Sequence, residues 1–582
     1  MKNHLKSYET MKLPFPLLGS VLMVLLVFQI SILKAQSLSD YIPREVRMVV
    51  SLDMGNFQKK ANLNEFKDLS MYQSGMEMLK KSAGPMGQTL QEVIEHPSDY
   101  GMDFLSPAMV YLHQEDGVNY TTMLISLSSA AKFQQLLEAL SGGFLPIEDK
   151  GSFKMMSLGS DNALAWNDDL VQMVNGKRDT TSISEFPAPL DVSGRLTKLM
   201  NKDFKASIDG NPFYKRAVAD PADLMVWVDR AMVKQWQMDQ RQDADMDTKW
   251  LEEMFGGAYD TDVRMGLHFN NGNIRLDADY LGEPSKIQNL NKFYRQDKWN
   301  KQFGKYMPGK ELLGLFAMNI NTVQMITIYQ SVMKGFMGSL PDSLQSSDVN
   351  EFLQSGKIED FIGMFAGDMI MGVTGMYEYE KVVTEMEYDE NFEEKEVQKT
   401  VKDRFPKMLG LISCKDVAKV QAFLDQISSD GMLEKRGKLY QMGAGEGKFT
   451  FYMAVHKGML FLSNDLEAMN EGQPKKYSRK KRMTKQQCKM LNERVMLVQA
   501  DVAAIMTAMN GGEQAADNSG GGGNFNVGKQ SVESFVMEMK KQVDPTKMRM
   551  SMMLNFSAKE KNALFEVMGL AEAFLPMLLL SM

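Results

Sequence analysis

Leu124, Ile125, Ser126, Ala131, Lys132, Gln134 and Leu137 recur as Leu411, Ile412, Ser413, Ala418, Lys419, Gln421 and Leu424, each displaced by 287 positions. An apolar run leading into an amphipathic helix can arise twice by chance. Seven ungapped identities that include a polar Lys and Gln are hard to reach that way, so the chain reads as an internal duplication. Whatever architecture one half builds, the other is expected to build again.

Six apolar runs are each followed by a helix-capping residue and helix-compatible chain. The caps are Asp53, Ser129 and Asp229, then Asn319, Asp416 and Asp501. Side-chain oxygens at such positions accept hydrogen bonds from the first free amides of a helix. Matching the first three caps to the last three gives offsets of 266, 287 and 272, and the rise locates an insertion at the charged stretch 385–404. That insertion lengthens a hairpin whose counterpart turns at Asp116-Gly117. Each half closes with a hairpin, expected at Val263 to Asn270 with Asn273 to Leu281, and at Lys547 to Phe556 with Ala563 to Met568. The expected fold is α+β: two homologous halves, 36–300 and 301–582, each a mixed or antiparallel sheet with helices on one face.

Before the first half, Lys2, Lys6 and Lys12 precede an apolar stretch from Leu13 to Leu33 that ends in Lys34-Ala35-Gln36. This reads as a signal peptide over 1–35, cleaved after Ala35, for an exported protein of the periplasm, outer envelope or medium. The alternative is a retained membrane anchor, since about 20 apolar residues can span a bilayer. Membrane contact is expected only in that case. Cys414 and Cys488 are the two cysteines in the chain. Their pairing stays open, although Cys414 aligns with Leu127 and so reads as a small buried apolar residue. A net charge of −8 argues against a nucleic-acid partner.

The second half alone carries the acidic stretch Glu385 to Glu396, a basic segment over 474–489 and a Gly-rich loop over 510–528. The last two read as mobile, and the charged segments as solvated loops or as a face for an envelope partner.

The opening Tyr41-Ile42-Pro43-Arg44-Glu45-Val46-Arg47-Met48-Val49-Val50-Ser51-Leu52-Asp53, continued by Phe57-Gln58-Lys59-Lys60-Ala61, resembles the Bacteroidetes envelope family known as domain of unknown function 4836. The Lys-Ala-Gln ending of the signal is similar to those of that phylum. The resemblance implies an envelope location and no activity, and it supplies no catalytic residues. Many relatives resemble lipoproteins, and this chain departs from them by having no Cys after its signal.

Ser129-Ala130-Ala131-Lys132 with Ser160-Asp161-Asn162 imitates two motifs of serine acyl hydrolases. No Lys-Thr-Gly follows, and the duplicate puts Asp416 where Ser129 stands: a cap can exchange Ser for Asp, a nucleophile cannot. Gly443 to Thr450 imitates a phosphate loop without its spacing and reads as a hairpin turn. His96, His113, His268 and His456 show no metal-ligand spacing, the acidic insertion lacks a calcium-loop pattern, and the 52 methionines read as core filler. No catalytic residue, metal or cofactor is expected. The expected role is non-enzymatic binding or structural work with an unidentified envelope protein or ligand. The rivals are a serine acyl hydrolase using Ser129 and Lys132, and a membrane-anchored interaction protein.

Overall fold

Strand Val118–Leu127 shows how both interiors are built. Met123, Ile125 and Leu127 project to one side and Thr122, Leu124 and Ser126 to the other, and all six are buried. A strand buried on both faces needs cover on both. The computed structural model describes residues 38–61, 67, 70–83, 86–115, 117–178, 190–235, 260–309, 312–327, 357–388, 394–444, 449–510 and 532–567. By contacts the chain divides into two units. One is Met1–Trp227 with Gly266–Phe269 and Leu564–Met582; the other is Val228–Met265 with Asn270–Ala563.

In the first unit, antiparallel strands pair in the order Met48–Leu52, Ala108–Glu115, Val118–Leu127, Leu170–Arg178, Asn162–Trp166, Lys154–Ser157 and Ile147–Asp149. Gly117, in the tight turn between the second and third, has φ +72°, which a side chain would strain. Helix Ala130–Ser141 packs Phe133 and Leu136 onto one face against Met123, Ile125, Met156, Leu164 and Trp166. Helix Val192–Met200 lies on the other, with Val192 set against Gly176.

The second unit has the corresponding order: Gly314–Asn319, Phe365–Tyr388, Glu394–Cys414, Met459–Ser463, Phe449–His456, Leu439–Ala444 and Glu434–Arg436. On the far side of Gly314–Asn319 the sheet continues through Arg494–Asp501, Val532–Lys540, Lys547–Phe556 and Asn273–Leu281. Phe365, Val420, Leu424, Tyr440 and Leu460 form a core on one face. Phe303, Tyr306, Met307, Leu411, Phe461 and Leu491 form a larger core on the other.

Five expectations change. Both sheets are covered on both faces, not one. The second closing hairpin is Val532–Lys540 with Lys547–Phe556, whereas Ala563 begins a helix. Asn273–Leu281 pairs along its whole length with Lys547–Phe556, so contacts place 270–300 in the second unit. The basic segment 474–489 is packed: Met483 is buried, Tyr477 and Cys488 lean on the larger core, and Thr484 with Gln487 makes a capping box. The charged insertion is paired strand over 385–388 and 394–404, its rungs running out to Tyr388 opposite Glu394, while 389–393 lie outside the described residues. Both cysteines are free. Cys414 packs with the smaller core and Cys488 with the larger, on opposite faces of one sheet. Residues 1–35 and 511–528 lie outside the described residues.

Candidate functional site

The side-chain oxygens of Asp53, Asp229, Asp416 and Asp501 accept the amides of Asn56 (2.9 Å), Met232 (2.7 Å), Lys419 (3.1 Å) and Ala504 (2.8 Å). Ser129 accepts from the Lys132 amide at 3.4 Å. Each of these carboxylates is engaged with the amide three residues on at its own helix start. Asn319 departs from expectation. It ends its strand, fully buried, with Nδ2 donating to the Asp297 carbonyl, because the backbone stays extended through a bridge at Ile320. Asn321, two residues on, accepts the Val323 amide at 3.2 Å instead.

The Ser-x-x-Lys imitation is used structurally. Gly101 passes so close beneath Ser129 that a Cβ there would sit 2.1 Å from the Ser129 carbonyl oxygen. Ser160 donates to Asp161 and Asn175 to Asn162, within a turn and its neighbouring strand. Ser129→Asn is expected to change stability by less than about 1 kcal/mol and Ser129→Ala to cost about 0.5 to 2 kcal/mol. Denaturant melts measure both, and equal large losses would mean that the hydroxyl does more than cap.

The charged centres escaped the sequence reading. In the first unit, Asp223 is buried with Lys60 Nζ at 2.7 Å and accepts the Phe269 amide. In the second, Asp279 accepts from Arg264 at 3.0 Å and from Arg549 Nε at 2.6 Å, and Asp277 accepts from Ser551 at 2.7 Å. Arg264, Asp277 and Asp279 have almost no solvent contact. The only sequence signal is alternation: Asp277 with Asp279, and Arg549 with Ser551, at every second strand position.

His113 lies beside Arg195, and burial followed by that guanidinium holds its imidazole down to about 4. Glu115, 3.9 Å away, would oppose the shift, but Arg195 already engages it. Because the folded value lies below the unfolded one, the stabilisation is full above about pH 6.5 and is lost as pH falls through 4. Stability in urea should decline over that window by about 2 kcal/mol after allowance for solvent screening, and His113→Gln should remove that part of the profile.

One hollow in the second unit offers a ligand's polar groups almost no partner among the described residues. It holds about 510 Å³ between the sheet, helix Val417–Ser429 and helix Lys357–Gly363. Met369, Ile412, Leu460 and Leu462 floor it, Phe423, Leu424 and Ile427 wall it, and Phe361 and Met325 close over it. Its size lies within the range of small-molecule sites. A second hollow, about 450 Å³ in the first unit, is polar. Its groups are largely engaged: Lys154 donates to Gln134, Asn167 accepts the Asp169 and Leu170 amides, and Asp149 accepts the Gly151 amide. Among the described residues no cluster of three or more His, Cys, Asp or Glu is placed to hold a metal ion.

No curated protein matches the sequence. Two solved structures, crystal form III and crystal form I of TP0453, align over 45% and 44% of this chain and 87% and 86% of theirs. Their identities are 5% and 3% and their TM-scores 0.24 and 0.23, too low to carry a structural argument. The model of the domain of unknown function DUF4836 matches residues 39–472, most of the chain. The chain therefore belongs to the DUF4836 family.

Proposed function

We propose that this is a non-enzymatic binding protein of the cell envelope, exported by its 1–35 segment, whose second unit holds an apolar ligand. The observation that carries this is the hollow of about 510 Å³ beneath helix Val417–Ser429, lined almost wholly by carbon and sulfur where an enzyme would need polar groups. A duplication in which the two copies diverged would account for an apolar hollow in one unit and, among the described residues, a packed core at the matching place in the other. The matching strand orders, and the helices capped by Ser129 and Asp416 after equivalent strands, support two copies of one ancestral unit, one filled and one adapted. Among the described residues no helix is long and apolar enough to cross a membrane. N-terminal mass analysis of the exported protein tests the leader: a chain starting at Gln36 is expected, and one starting at Met1 or Met11 would favour the anchor.

Titration of the intact mature chain with the uncharged dye N-phenyl-1-naphthylamine tests the site. One saturable fluorescence enhancement is expected, weakened at least tenfold in Gly410→Met and Leu462→Phe, which fill the floor with apolar bulk while thermal melts stay unchanged. Absence of enhancement, or equal enhancement in both variants, would sink the reading.

The partner-binding expectation moves to the ordered basic segment, where Lys475, Lys476, Arg479, Lys480 and Lys485 are exposed. An anionic envelope partner should bind there with an affinity that falls as salt rises. Capture unaffected by salt, or by neutral Gln at those five positions, would exclude it.

A further inference from the structure

We propose that the hollow of the second unit takes the unbranched aliphatic chain of an amphiphile and leaves the polar head outside. This rests on the reading of that hollow as a ligand site and adds the class of ligand.

The lining excludes most alternatives. Thr322 brings the one side-chain oxygen among the lining residues. A sugar, nucleotide or peptide placed inside would lose its water and gain almost no hydrogen bonds in return. Whatever enters must be hydrocarbon over the buried part of its length.

The walls favour a flexible chain over a rigid ring system. Met325, Met369, Met432, Met442 and Met453 all line the space, and unbranched thioether side chains re-pack around guests of different length. The aromatic rings are turned toward one another: Phe361 meets Phe423 at 4.7 Å between centroids and Phe365 edge-on at 5.1 Å. They form no flat slot for a fused ring.

Comparison of cross-strand rows shows how the space arises. In the first unit one row reads Met123, Met173, Leu164, Met156 and the next Ile125, Val171, Trp166. In the second the same register positions read Gly410, Leu462, Met453, Tyr440 and Ile412, Leu460, Val455. Met gives way to Gly and Trp to Val; on the covering helix, Phe133, fourth after its cap, gives way to Val420. Gly410 is not demanded by the backbone. Its φ is not positive, and the nearest neighbour of an added Cβ would be Leu462, at an ordinary 3.5 Å. Beside it Met371 stands 45% exposed in the paired strand, so the apolar floor runs on past the hollow toward solvent, as a chain with an external head requires. Met432 and Met442, also exposed, stand where the lining meets solvent.

The test displaces N-phenyl-1-naphthylamine from the intact mature chain with straight-chain carboxylic acids of increasing length, and with a steroid acid of the same charge. Affinity is expected to tighten about fourfold per added methylene and then level off when the hollow is full. Gly410→Met should bring that plateau at a shorter chain. Affinity independent of chain length, or stronger displacement by the steroid acid, overturns the proposal while leaving the site. Absence of any dye binding removes both.

Discussion

Arg264→Met is expected to destabilise the protein by about 3 to 5 kcal/mol, measured by guanidinium unfolding of the intact chain. The side chain has no solvent contact, and its Nη1 donates to Asp279, itself buried and 3.0 Å away. Removing the guanidinium leaves a carboxylate in a low-dielectric interior with Arg549 as the cation still beside it. The loss of one partner costs more than the loss of both, because the residual penalty is an under-compensated buried charge. Arg264→Met combined with Asp279→Leu should therefore recover at least half of the single-variant loss. A double variant as unstable as the sum of the singles would show that the two residues act independently.

Trp166→Val should cost about 3 to 5 kcal/mol, although the second unit carries Val455 at that register position. The ring is 1% exposed and meets Phe133 edge to face at 5.9 Å and 75°, with Met156 and Leu164 around it. The first unit has set its helix against that ring, and truncation leaves a void that neighbours held by the sheet cannot close. Trp166→Val with Phe133→Val should open a space in the first unit and give it dye binding resembling that of the second. A loss below about 1 kcal/mol for Trp166→Val would mean that this core collapses freely.

The strand-to-helix pattern was legible because it rests on local chemistry: an apolar run, then an oxygen that reaches the next free amides. It erred at Asn319 by two residues, since a bridge at Ile320 prolonged the extended backbone and handed the cap to Asn321. Burial on both faces was harder to read. Thr122 and Gln172 are polar residues on a buried face, and alternation assigns such positions to solvent. The basic segment read as mobile because cations outnumber its apolar residues, yet Tyr477, Met483 and Cys488 are spaced so that each reaches the core. Buried charges such as Arg264 and Asp279 resemble surface charges until the register brings them together. The hollow left no trace in the pattern of residue types. Filled and unfilled interiors are written with the same apolar letters, and only summed volumes across neighbouring strands distinguish them.

The long hairpin also sets a gradient of solvent protection. Between Leu409 and Ser413, strand Glu394–Cys414 is flanked on both sides, by Phe365–Tyr388 and by Met459–Ser463. From Gly375 to Tyr388 on one strand and Glu394 to Lys407 on the other, each is the other's sole pairing partner among the described residues. Amide hydrogens should therefore exchange progressively faster from Lys407 toward the tip, with free energies of opening graded along the ribbon while the root opens only with the whole unit. A protease that cuts within 389–393 should leave two pieces that stay together, because each cut end leads back to a strand held by a different neighbour: Gly314–Asn319 for one, Met459–Ser463 for the other.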